Sequence, residues 1–268
     1  MKLNLDDIAE LAESIGKRYF SKGKVAVKNV AKNKRIEIVY GKYGNHYDGL
    51  LCREEGKFYM HINLEKVPDK KSERIRFTIS HELGHYFIDN HRKKLEQGIS
   101  LSFNSEMTVD EKRIEHEANH FASHLLMPKT LFNKLAQKKE QGFDSILFLK
   151  KRFDVSIYAT TIHYIHLNLS TSIMIKWHPD FTYHYASYSS SFSELTGITK
   201  RPPVGFPENY VAEVAKTIEE NSLDYFEAAT PLSRWISTIT PGSKKDIVGL
   251  EQTIKLGDFG GITLLTFQ

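Results

Sequence analysis

The chain has 268 residues, 40% of them hydrophobic and 26% charged, with a formal net charge of +4 spread along its length. This is the composition of an ordinary soluble globular protein, long enough for a catalytic domain with one or two smaller ones, and its charge neither demands nor excludes nucleic acid. A single cysteine, Cys52, excludes an internal disulfide framework and favours a reducing, cytoplasmic setting. The early acids Asp6, Asp7 and Glu10 stand where a secretory signal would be apolar, and no run approaches the roughly 18 apolar residues of a membrane span.

A helix is predicted over residues 4–20. Leu5, Ile8, Leu11, Ala12, Ile15 and Tyr19 follow helical spacing, Asn4 can cap the start, and Gly23 ends it. Strand-like runs follow at 25–30, 35–40, 50–53 and 57–64, and the last two read as a hairpin around Glu54, Glu55 and Gly56. A small antiparallel sheet between two helices is therefore expected, with 66–74 a charged, solvated connection.

The next stretch carries the chemistry. His81-Glu82-Leu83-Gly84-His85 sets two imidazoles one helical turn apart, so both can reach one metal ion. Ile79, Leu83, Tyr86 and Phe87 form an apolar stripe nearly opposite the histidines, which is the pattern of a helix that is packed on one side and faces a cleft on the other. Two neutral imidazoles and a carboxylate suit Zn²⁺ with a fourth position left for water, and Glu82 stands beside His81 to take that water's proton. Gly84 costs a helix about 1 kcal/mol against alanine, which asks for a close-packing reason.

Residues 91–106 read as a polar surface loop. A second helix should start at Thr108, with Glu111 completing a capping box, and end at Pro128; Ile114, Ala118, Phe121, Ala122 and Leu125 are its apolar face. The third metal ligand is expected here, and spacing alone leaves Glu115 and Glu117 open. Asn119, four residues beyond Glu115, is placed to hydrogen-bond a ligating side chain. His116, His120 and His124 recur every four residues on another face and read as a solvated polar edge.

Arg76-Phe77-Thr78 ahead of His81-Glu82-Leu83-Gly84-His85, followed by Glu115-x-x-Ala118-Asn119-x-Phe121-Ala122-x-x-Leu125-Leu126-Met127-Pro128, resembles the ImmA/IrrE family of zinc metallopeptidases. The resemblance implies a zincin-like fold of the gluzincin type and makes Glu115 the third zinc ligand beside His81 and His85, with Glu82 the catalytic base. Tyr86, His120 and His124 are candidates for stabilising the oxyanion. It further implies the substrate: a helix-turn-helix DNA-binding repressor, cleaved to release stress or mobile-element genes.

Residues 129–169 are predicted helical. Leu131, Phe132 and Leu135 mark one short helix; Ile146, Leu149 and Phe153 mark the next, capped by Asp144. Phe153-Asp154-Val155-Ser156-x-x-Ala159 looks like the turn of a helix-turn-helix, with Asp154 where family members often have glycine. Residues 157–165 hold no Arg, Lys, Asn or Gln, so a packing or substrate-docking unit is expected rather than direct reading of DNA. From residue 170 the composition changes: strands at 172–176 and 181–185, a Ser-rich loop at 187–193, a Pro/Gly-rich segment at 201–207, a helix at 210–220, and two strands around residues 257–261. The close resembles the glycine-basic-threonine-leucine ending of larger family members, with Gly261 in place of the basic residue.

The expectation is thus an α+β protein in three parts: a zinc metallopeptidase domain at 1–128, a helix-turn-helix-like unit at 129–169, and an α+β accessory domain of sensory type at 170–268. The competing reading is a non-catalytic, zinc-containing regulator that binds DNA or a partner protein, for example in a toxin–antitoxin-like module.

Overall fold

The computed structural model opens with the amphipathic helix that the apolar spacing predicts, α1 (Leu5–Arg18), where Asn4 and Asp7 form a capping box. The structure describes residues 4–21, 23–65, 69–99, 101, 107–199, 208–239, 241–243 and 246–267. They form two compact units, Met1–Phe132 with Lys150–Ser156, and Asn133–Leu149 with Ile157–Gln268. This differs from three consecutive parts. Residues 150–156 join the first unit because Lys150 pairs with Glu73, Phe153 stacks on Phe132, and the Phe153 and Asp154 carbonyls accept hydrogen bonds from Arg76.

In the first unit, β1 (Phe20–Ser21) and β2 (Lys24–Val25) make a short antiparallel ladder. The run expected as a strand at 25–30 instead becomes helical in α2 (Val27–Asn33), because Val27, Val30 and Ala31 share one face and bury it. β3 (Ile36–Gly41), β4 (Gly49–Glu54) and β5 (Lys57–Asn63) form a sheet in the order β3-β5-β4. The β4–β5 hairpin is present, but β3 runs parallel to β5, so the sheet is mixed rather than antiparallel. The physical reason is the 42–48 connection. Asn63 at the end of β5 donates to the Gly44 and Tyr47 carbonyls and accepts from the Tyr43 N–H, which pins the chain as it crosses the end of β5. β4 is left as an edge strand.

Two long helices complete this unit. α3 (Glu73–Phe87) starts at Ser72, whose hydroxyl accepts from the Ile75 N–H, and carries both histidines of the motif. Residues 91–96, expected as loop, belong to α4 (Asp89–Glu96), which buries His91 and Leu95 at helical spacing; residues 100 and 102–106 of that expected loop lie outside the described residues. α5 (Val109–Leu126) has the predicted capping box between Thr108 and Glu111. Both α1 and α3 pack along α5. The core joins Leu51, Met60 and Ile62 of the sheet with Ile79, Leu83, Ala118, Phe121 and Leu125, all at most 2% exposed.

α6 (Lys129–Ala136) and α7 (Phe143–Phe153) follow. At the turn after α7, Asp154 adopts a left-handed φ of 57°, the conformation that glycine would hold at less cost. Its carboxylate compensates by pairing with Lys24 and Arg76.

The second unit is built on an antiparallel sheet of β6 (Thr171–Trp177), β7 (Tyr183–Tyr188), β8 (Phe226–Pro231), β9 (Val248–Lys255) and β10 (Gly261–Phe267), in the order β7-β6-β10-β9-β8. α8 (Ile157–His166) packs on β6 and β7, and every residue of the central β10 is buried, as expected of a strand covered on both faces. The serine-rich stretch expected as a loop is ordered. Ser189 caps α9 (Ser190–Thr196), which buries Phe192 and Thr196. α10 (Glu208–Glu220) buries Val211, Val214, Ala215 and Ile218; the 201–207 segment lies outside the described residues. Trp177, Trp235, Phe192, Leu265 and Phe267 make the core on that side. No helix among the described residues is long and apolar enough to cross a membrane.

Candidate metal centre

α3 presents His81 and His85 towards α5, and the crossing of these helices is close because residue 84 has no side chain. A Cβ on Gly84 would lie 3.2 Å from the Ala118 Cα and carbonyl oxygen and 3.3 Å from the Phe121 Cβ. Glu115, one turn before Asn119, therefore reaches across to both histidines. Its Oε2 lies 3.2 Å from His81 Nε2 and its Oε1 3.3 Å from His85 Nε2, while the two Nε2 atoms stand 3.1 Å apart. Two ligands held 2.0–2.1 Å from a tetrahedral ion are separated by roughly 3.3 Å, so the three groups are spaced as edges of such a site. The donor set, two imidazoles and a carboxylate, fits Zn²⁺ with one position open to water.

The electrostatics match that use. Burial opposes ionisation of Glu115, but hydrogen bonds from His81 and His85 outweigh it and hold the carboxyl down at about 2. Burial also disfavours a charged His85, whose pKa falls to about 4, leaving the neutral imidazole a metal requires. His81 is pushed the other way: burial lowers its pKa, and the bond to Glu115 together with the charges of Glu82 and Glu115 more than restores it.

Glu82 sits on the same helix, 5% exposed, with its carboxyl pushed up to about 7, chiefly by desolvation. The backbone of Leu51 in β4 hydrogen-bonds to it. Gly49, at the start of β4, is packed against it: a Cβ there would lie 2.6 Å from Glu82 Oε1 and 2.5 Å from Thr78 Cγ2. By spacing Gly49 ends the turn at 41–49; in the structure it is the first residue of β4, and a glycine within a strand marks close backbone approach.

Asn119 Oδ1 lies 3.0 Å from His81 Nδ1, so it accepts the proton on the far side of that ring. Glu117, the other acid on α5, is turned away from the metal position. It bonds His91 at 2.9 Å and Arg113 at 2.7 Å. His91 was read as the start of a surface loop and is in fact 1% exposed, with its ring beside His85. The histidine series on α5 is not uniformly solvated as expected. His116 is exposed, but His124 is buried, with Nδ1 3.2 Å from Glu13 Oε1, because α1 packs over the C-terminal half of α5. Tyr86 packs edge-on against Phe58. A second group of metal-type donors, Cys52, Glu54 and His61, lies on the outward face of the β4–β5 hairpin, where Glu54 is exposed.

A mixed sheet whose edge strand borders a helix carrying His-Glu-x-x-His, with an acid from a second helix facing both histidines, defines a zincin-like metal-binding domain. Residues 36–162 match the family model Peptidase M78, described as the IrrE N-terminal-like domain. The chain thus carries an IrrE N-terminal-like domain over these residues, and the resemblance read from its motifs is borne out. A solved structure, a Mycobacterium tuberculosis transcriptional regulator, shares the fold at a TM-score of 0.64 and 13% identity, over 97% of this chain and 76% of that one. No curated protein matches the sequence.

Proposed function

We propose that the protein is a zinc-dependent endopeptidase of the cytoplasm that cleaves a helix-turn-helix DNA-binding repressor and so releases stress or mobile-element genes. The observation that carries the catalytic part is the convergence of His81, His85 and Glu115 with the buried Glu82 beside them. When bound, Zn²⁺ would polarise a peptide carbonyl and activate water for attack on it. Glu82 accepts the proton of the attacking water and returns it to the departing amine. Glu115, held ionised, and the neutral imidazole of His85 bind the ion, and Asn119 fixes the ring of His81.

β4 supplies the substrate platform. It is the edge of its sheet, and its backbone touches Glu82, so an extended peptide added to that edge brings its carbonyl to the base. A flexible segment of a repressor meets this requirement better than a folded domain does. Direct reading of DNA by α8 has little support, since Thr160, Thr161, His163 and Tyr164 are buried and the helix lacks the usual donors to phosphates and base edges.

The test uses the purified full chain with zinc and the helix-turn-helix repressor encoded next to it. Wild type should cut the repressor at one place, and Glu82→Gln, with equal zinc content, should not. Equal cutting by Glu82→Gln would remove Glu82 as the base. Absence of cutting, with operator DNA bound equally well with and without zinc, would instead favour a non-catalytic regulator.

A further inference from the structure

On the side of His85 away from Glu115, a row of buried polar groups links three helices. His85 Nδ1 lies 3.2 Å from His91 Nδ1, His91 Nε2 lies 2.9 Å from Glu117 Oε2, and Arg113 Nη1 donates to Glu117 Oε1 at 2.7 Å. His91 is 1% exposed and Glu117 7%, so little water competes for these bonds.

The atoms dictate where the protons sit. A carboxylate facing Arg113 only accepts, so His91 must carry a hydrogen on Nε2 and donate it to Glu117. A neutral His91 then offers a bare Nδ1 to His85. Two bare nitrogens would repel at that separation, so the pair is satisfied when His85 carries its one hydrogen on Nδ1; its Nε2 then gives up the bond to Glu115 and would offer a lone pair to a cation held between them.

We infer that His91 and Glu117 are positioning residues for metal capture: they hold His85 in the one tautomer that can bind the ion, with Arg113 anchoring the row. The inference rests on the zinc reading above and adds to it a role for the acid that spacing left in competition with Glu115. The two ligand histidines are then supported unequally. His81 leans on a neutral amide, Asn119, whereas His85 leans on a row that ends in a charge pair.

The test measures zinc affinity by competition with a chromophoric chelator, together with the visible spectrum of the cobalt-substituted protein, neither of which needs turnover. His91→Leu should bind zinc about 10–100-fold more weakly and change the cobalt spectrum, the usual cost of losing such a partner. His91→Gln, whose amide can still accept from His85 and donate to Glu117, should recover most of that loss, which a merely space-filling role would not produce. Melting of each metal-free variant shows whether it folds. If His91→Leu does not, Glu117→Gln, of equal size but uncharged, carries the test and should weaken zinc about fivefold or more. His91→Leu or, in its place, Glu117→Gln with wild-type affinity and an unchanged cobalt spectrum would overturn the inference. The zinc reading fails separately, if wild type takes up no zinc or His81→Ala takes up as much.

Discussion

At the scale of single residues, the protein keeps several carboxyl groups in buried or half-buried places, and their surroundings decide their charge. Glu115 and Glu82 lie close on neighbouring helices yet are driven apart, one to about 2 by its histidine partners and the other to about 7 by desolvation. That separation lets one bind metal as an anion while the other exchanges a proton near neutrality. Gly49 serves the second of these. Gly49→Ala puts a methyl group where Glu82 Oε1 lies, and should cut kcat at least about tenfold, as small displacements of catalytic groups do, with zinc content unchanged by metal analysis. Glu251 in the second unit shows the same physics without the site. It is fully buried, bonded by the Tyr210 hydroxyl, and its carboxyl is raised to about 7, mainly by desolvation. A carboxyl raised in the folded state favours folding fully below its unfolded value near 4.5, and that contribution is lost as pH rises through about 7. Glu251→Gln should therefore gain stability relative to wild type as pH increases. Thermal melts at pH 5 and pH 8 should show a difference a few degrees more favourable to the variant at pH 8; a constant difference would contradict this.

At the scale of elements, the α3–α5 crossing decides whether the site exists. Gly84 brings the helices close enough for Glu115 to span both histidines, and a larger residue has only backbone to push against. Gly84→Val should destabilise the protein by about 2–3 kcal/mol through overpacking and weaken zinc binding in parallel, measured by urea unfolding and chelator competition. A variant that loses stability but binds zinc as tightly as wild type would show that the crossing does not set the ligand spacing. Arg76 on the same helix ties down the turn after α7 through the Val25, Phe153 and Asp154 carbonyls, which explains why a basic residue at the head of the motif is 8% exposed. Local pattern was most legible in these elements. α1, α3 and α5, with their caps, follow from apolar spacing and from Asn4 and Thr108. It failed for α2, α4 and α9, each 7 or 8 residues long. Helices that short have little intrinsic stability, and it is burial of Val30, His91 or Phe192 that holds them.

At the scale of the whole molecule, metal should act on one unit, since all three donors lie in Met1–Phe132 with Lys150–Ser156. Zinc at about 100 times its dissociation constant should stabilise that unit by about 2.7 kcal/mol, raising its melting temperature in wild type and leaving His81→Ala unmoved. An equal rise in both would place the bound zinc elsewhere. The sequence by itself determined the His81–His85 pair and Glu82 that are proposed as ligands and base, and the helices that bear them, because those depend on residues three to four apart in one chain segment, where helical geometry is fixed. It also carried the family resemblance that favoured Glu115 over Glu117. The tertiary structure alone decided what needs two distant segments: the parallel pairing of β3 with β5, the seat of Gly49 against Glu82, the burial of His91 behind His85, and the return of residues 150–156 to the first unit. None of these has a period or a spacing. Each follows from which side chains exclude water together, and that is settled only when the segments meet.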